Sequence, residues 1–161
     1  MPPTPLTATV RYTPPAQARK YYWVTTIATQ ASPSRAELNA GTDLSAEISD
    51  VNGFELSGDS ADAPDLASQF VAQVPARITA SDSEIVFYAS NTSADVRTVL
   101  PRGTTGYVCI LPEGDIATQK MEVWPAKVKS MFLDSSIEDP AKIHVQFSIT
   151  KLPSQNVTIP T

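Results

Sequence analysis

Residues 95–114, DVRTVLPRGTTGYVCILPEG, constrain this chain more than any other stretch. Asp95, Val96, Val99 and Leu100 stand at helical spacing, and Pro101 then stops the helix because its ring cannot continue the backbone ladder. Gly103 and Gly106 bracket a sharp turn, after which residues 107–111 are apolar on both faces. A strand of that kind must be covered from both sides, so the chain has to supply layers above and below it. The segment carries no motif for chemistry.

The rest of the sequence supplies such layers from a single domain. The 161 residues are 42% apolar, enough for one core that buries roughly two thirds of the unfolded surface. No apolar run approaches the eighteen or so residues that span a bilayer. Met1 is followed by Pro-Pro-Thr-Pro rather than by a charged leader, so no signal peptide is expected and synthesis is expected in the cytoplasm. The single cysteine, Cys109, excludes an internal disulfide and reads as a small core residue. Charge is uneven. Residues 1–36 carry four bases and no acid, whereas the remainder holds 17 acids against 8 bases. An acidic body argues against tight nucleic-acid binding, which relies on Lys and Arg to neutralise phosphates.

Residues 1–19 hold five prolines and little to bury, which predicts an extended arm. Tyr21-Tyr22-Trp23-Val24 opens an aromatic, β-branched strand. Residues 32–41 predict a short helix with Ser32 as N-cap, Pro33 in the first turn and Gly41 closing the end. A further short strand is expected over 52–57. Residues 58–74, rich in Asp, Ser and Ala, predict a loop of unusual length, of the sort found at functional or partner-bound sites. Residues 83–89 alternate with Ile85, Phe87 and Ala89 on one face. Residues 120–133 predict a long strand interrupted at Pro125, where the apolar phase flips through a bulge or an edge position. Residues 141–151 alternate most cleanly: Ile143, Val145, Phe147 and Ile149 on one face, and Lys142, His144, Gln146, Ser148 and Thr150 on the other. The sum is a mainly β fold, an antiparallel β-sandwich or open barrel of six or seven strands with a flanking α-helix. The expected organisation is an arm over 1–19, a body over 20–152 and a C-terminal tail over 153–161.

No catalytic constellation emerges. A hydrolytic triad needs a base, and the one histidine, His144, sits on the polar face of a strand. His144 and Cys109 are too few for a zinc site. Carboxylate pairs such as Asp62/Asp65 and Glu138/Asp139 lie in surface-like sequence. The Gly103-Thr-Thr-Gly106 turn lacks the Lys-Ser/Thr of a phosphate loop, and the two Asn-X-Ser/Thr matches have no secretory context. No enzyme activity, cofactor or metal is expected.

Five stretches in order and spacing carry a family likeness: KYYWVTTIATQASPSRAELNAGTDLS, VNGFEL, APDLASQFVAQVPARITASDSEIVFYAS, DVRTVLPRGTTGYVCILPEGD and AKIHVQFSITKLPSQNVTIP. Over residues 20–160 the chain resembles the major tail tube proteins of long-tailed bacteriophages, those of actinobacteriophages in particular. The resemblance implies a structural virion protein, assembled as hexameric rings stacked into a tail tube that conducts DNA into the host. In such tubes each subunit gives four strands to a continuous barrel, with tape measure, terminator and tip proteins as further partners. Twenty-four strands spaced about 4.8 Å and tilted about 40° make a backbone circle roughly 48 Å across, leaving a lumen of about 38 Å. Six copies at −5 each give a ring of formal charge about −30, and a wall that repels phosphate lets DNA slide.

Other readings stay open beside it: another tail or connector protein, a receptor-binding tip module, or a tube of the type VI secretion kind. On the tube reading, Lys142, His144, Gln146, Ser148 and Thr150 are expected to face the lumen or a subunit seam. The loop is expected to bridge subunits or rings through Asp59, Asp62, Asp65, Leu66, Phe70 and Val71. Val10, Arg11 and Tyr12 of the arm are expected to contact a neighbour on the outside of the tube.

Overall fold

A computed structural model describes residues 18–67 and 69–161. The arm contacts expected at Val10, Arg11 and Tyr12 lie outside the described residues.

The described chain forms ten strands, all paired antiparallel, with two short helices and one 3-10 turn at Ser45–Glu47. In chain order these are β1 (Lys20–Val24), α1 (Arg35–Asn39), β2 (Thr42–Asp43), β3 (Ile48–Asn52), β4 (Leu56–Ala63), β5 (Ala72–Ala80) and β6 (Ser83–Tyr88). Then follow α2 (Val96–Val99), β7 (Thr105–Leu111), β8 (Lys120–Asp134), β9 (Lys142–Ile149) and β10 (Ser154–Thr158). One eight-stranded sheet runs β2-β1-β7-β8-β9-β6-β3, with β10 also paired to β8, and β4 with β5 forms a separate hairpin.

The sheet curls around a main core. Trp23 of β1, Val108 of β7, Trp124 and Val128 of β8, Val145 and Phe147 of β9 and Phe87 of β6 converge there, although β1 and β6 are far apart in the strand order. Leu100 from the end of α2 and Phe54 close it. A second cluster covers the other face of β1, β7 and the start of β8, where Leu38 of α1 and Val157 and Ile159 of the C-terminal segment meet Cys109, Leu111, Met121 and Val123. The doubly apolar strand of the sequence is thus β7: Val108 points to the first cluster, Cys109 and Leu111 to the second.

Several local expectations shift. The N-cap of α1 is Ser34, not Ser32: its hydroxyl accepts from the Glu37 N–H while Glu37 reaches back to the Ser34 N–H, a reciprocal box that outcompetes an isolated serine. Pro125 does not flip β8. Met121 and Val123 serve one cluster, Trp124, Ala126 and Val128 the other, in unbroken alternation, because both faces are covered. The phase changes later, at a bulge between Val128 and Ser130, so Met131 returns to the core and Phe132 turns outward beside His144. Residues 58–74 are not one long loop: 58–63 and 72–74 are strand within the β4–β5 hairpin, which pairs from Leu56–Ala80 to Ala63–Ala72 with a bulge between Gly58 and Ser60. Its small polar residues hide the strand signal because neither face meets the core. The strand expected over 52–57 is instead a break: β3 ends at Asn52 and β4 begins at Leu56. Ser154–Thr158, expected to trail off, pairs with β8 as β10.

Candidate assembly surfaces

The outer face of the curled sheet divides in two. Over β1, β7 and the first half of β8 it is roofed by α1 and the C-terminal segment. Over the second half of β8, then β9, β6 and β3, no other element among the described residues covers it. Register places this bare face in rows. Asn52, Glu84, Gln146 and Ser130 make one, Asp50, Val86, His144 and Phe132 the next, and Tyr88, Lys142 and Asp134 a third.

A hydrogen-bond chain runs across the first two rows. Glu84 Oε1 lies 2.9 Å from His144 Nδ1, its Oε2 accepts from Gln146 Nε2 at 3.1 Å, and Gln146 Oε1 accepts from Ser130 Oγ at 2.6 Å. His144 also stacks flat on Phe132, with ring centroids 4.6 Å apart. The expected residues Lys142, His144, Gln146 and Ser148 therefore do share one face, but His144 is half-buried and engaged rather than freely exposed. Thr150 lies just past β9, where its N–H donates to the Pro125 carbonyl. Glu84, Ser130 and Phe132, which sequence reading missed, belong to the same surface. Alternation in residues 83–89 places Glu84 on the face opposite Ile85 and Phe87, but only pairing reveals which strand lies beside it.

Two strand edges bound this face. β3 ends the sheet order, and beyond Val128, whose N–H and carbonyl still bond to Thr104 and Gly103, β8 pairs with β9 alone among the described residues. Exposed edges invite pairing with another chain.

The hairpin is the second surface. It leaves the body through Gly53 and Phe54, both left-handed, with φ of 78° and 56°. A Cβ at Gly53 would stand 2.2 Å from the Asp82 carbonyl oxygen, so only glycine fits the turn. Phe54 tolerates its strained backbone because its ring is buried, edge-on to Trp124 at 5.7 Å and 6.0 Å from Phe147. The buried Ser83 hydroxyl accepts the Phe54 N–H at 3.0 Å and donates to the Ser81 carbonyl. The root is thus fixed to the core while β4 and β5 project with both faces exposed except at Leu56. Leu66, Val74 and Ile78 are exposed apolar residues on it. Asp62 accepts from Gln73, and Asp65 accepts the Ala67 N–H at 2.7 Å.

Charged clusters elsewhere brace the fold. Arg35 grips Asp115 with both guanidinium nitrogens, one at 2.6 Å, joining α1 to the β7–β8 turn, and holds that carboxyl below its ordinary value. Burial, reinforced by its hydrogen bond to Asp115, pushes the Tyr22 phenol up to about 12. Asp95 caps α2, accepting the Arg97 N–H, and its ion pair with the Arg97 side chain, together with the Ser90 N–H, holds its carboxyl far below the usual range. Burial raises the Cys109 thiol to about 12, so it carries no thiolate at neutral pH.

Comparison with known proteins places the chain in a family and the fold among solved structures. The phage tail tube protein family matches residues 8–161, which takes in part of the proline-rich arm. No curated protein matches the chain. Among solved structures, the tail of an empty gene transfer agent particle, refined with C6 symmetry, shares the fold at TM-score 0.52 and 11% identity, covering 86% of this chain and 96% of that one. A chain of the native gene transfer agent virion aligns at TM-score 0.47 and 13% identity, over 71% of this chain and 88% of that one. A family match over nearly the whole length identifies the chain as a member of the phage tail tube protein family, a structural component of the virion tail.

Proposed function

We propose that six copies of this chain close into a ring through the bare half-sheet, and that rings stack into a tube whose lumen passes DNA without binding it. The observation that carries the reading is the pair of free edges. Each copy offers four strands, with β3 at one edge and the second half of β8 at the other. Joining unlike edges between neighbours is a heterologous contact, and such contacts generate closed rings when the rotation closes. Closure also removes the exposed edges that would otherwise template aggregation. The sixfold symmetry of the related gene transfer agent tail supports the same count.

The polar rows then face the lumen. Their charged groups are Asp50, Glu84 and Asp134 against Lys142, with Lys127 beside Ser148 at the rim. A wall that is polar and not basic hydrates well yet gives phosphates little to hold. The hairpin, including Asp59, Asp62, Asp65, Leu66, Phe70 and Val71, bridges to an adjacent copy, since among the described residues β4 and β5 are exposed on both faces beyond Leu56. Tape measure protein inside the tube and terminator and tip proteins at its ends complete the assembly. The chain acts without catalysis, as a conduit driven by energy stored elsewhere.

Electron microscopy of the purified protein checks the tube, and cysteine labelling checks the lumen. Cys109 is buried, so Ser148→Cys supplies one reactive thiol on the bare face. In assembled tubes a maleimide carried on a large protein should reach Ser32→Cys readily and Ser148→Cys only at tube ends. Equal labelling of both would place the bare face outside and overturn the assignment.

A further inference from the structure

We propose that the hairpin of one copy docks on a basic corner of an adjacent copy, so that this contact in the tube is electrostatic and salt-sensitive. The inference rests on the tube reading above and names the surface that receives the hairpin.

The corner is assembled from three stretches. Gly103 N–H donates to the Val128 carbonyl and Val128 N–H to the Thr104 carbonyl, which sets Arg102 beside the two residues flanking Val128, Lys127 and Lys129. Thr150 N–H donates to the Pro125 carbonyl, bringing Lys151 to the same end of the body. All four side chains are exposed, and among the described residues only Lys129 reaches an acid, Asp82 at 3.7 Å. The hairpin is the opposite in sign: Asp59, Asp62 and Asp65 against Arg77 alone.

The two patches sit where one copy cannot satisfy itself. The hairpin root packs beside the corner, since Leu56, Ile78 and Lys151 line one cavity of about 250 Å³. From Leu56, however, the strand rises about 3.4 Å per residue, which carries Asp62 some 20 Å outward, more than twice the Debye length of about 8 Å at physiological salt. Its own corner is screened from it. The nine residues of β5 project about 30 Å, while each copy's share of a circle about 48 Å across is only about 25 Å. A hairpin that roots at one copy's corner therefore has the reach to lie across its neighbour's corner. The contact pairs unlike patches, as a closed ring or stacked tube requires. Val74 and Ile78 add apolar area once the charges have steered the hairpin in.

Charge exchange tests the proposal on the full-length chain. Asp59→Lys with Asp62→Lys, and separately Arg102→Glu with Lys127→Glu, should each leave the subunit folded by circular dichroism, as every site is exposed, yet abolish tubes in electron micrographs. Combining all four substitutions should restore them. Wild-type assembly followed by light scattering should slow by about tenfold between roughly 50 and 500 mM NaCl. Either pair alone assembling at the wild-type rate, or the combined variant failing to assemble, overturns the pairing while leaving the tube intact. Wild-type protein that forms no rings or tubes at any salt overturns the tube reading itself.

Discussion

The two halves of the curled sheet obey different rules although they share strand β8. Where β8 runs beside β7, both faces are covered, and every residue from Val123 to Ala126 is buried. Beyond the bulge after Val128 the same strand keeps one face on the core and bares the other, with Phe132 and Leu133 about half exposed. The hairpin goes further and buries almost nothing. The covered half is thus packed on both faces, whereas the bare half gives only its inner face to the core, through residues such as Phe87 and Phe147, and leaves its outer face and the hairpin for contacts between copies. A bulge is the device that separates them, because one extra residue exchanges the inner and outer faces.

That contrast is open to direct attack. The largest effect should come from Trp124→Ala in the covered half: the side chain is fully buried, and its loss should lower subunit stability by about 3–5 kcal/mol in urea denaturation. A loss under about 1 kcal/mol would mean that the doubly covered stretch of β8 does not anchor the core. Next is the hinge between the regions. Gly53→Ala forces a Cβ against the Asp82 carbonyl in a left-handed turn, and should cost about 2 kcal/mol or more while detaching the hairpin root, seen as faster proteolysis of the hairpin.

A smaller effect, with a pH signature, belongs to the α2 cap. The Asp95 carboxyl is held low by Arg97, so its stabilisation is fully present above the ordinary aspartate value near 4 and drains away as pH falls further. Asp95→Ala should cost about 1–2 kcal/mol at pH 7 and flatten the stability profile below about pH 4 relative to wild type. Parallel profiles for the two proteins would show that the ion pair contributes nothing. Smallest for the lone subunit is Val74→Ser on the hairpin, expected to shift unfolding by less than about 0.5 kcal/mol but to cut tube yield. If it destabilised the subunit as well, the hairpin would be packed on its own body after all.

Much of this division was legible in the chain. The doubly apolar run at 107–111 required two covering layers, and the strict alternation at 141–151 required one wet face; both follow from a side-chain period of two set against burial. The hairpin was not legible as strands. Residues such as Gly58, Ser60 and Ala61 have no core to face, and periodicity reports only burial within the chain itself. Nor did Pro125 mark the turn in phase, because covering on both faces erases the contrast that a phase argument needs, and the true switch lay at Lys129.

What the sequence determined by itself was a β-rich, acidic body with a proline-rich arm, since composition and short-range periodicity are properties of consecutive residues. Only the tertiary structure decided that Glu84 meets His144, that Gly103 and Thr104 bond to Val128, and that the hairpin springs from a buried Phe54. Those are long-range pairings fixed by strand order and register. A hydrogen-bonded ladder can set them, and no local pattern of residues encodes them.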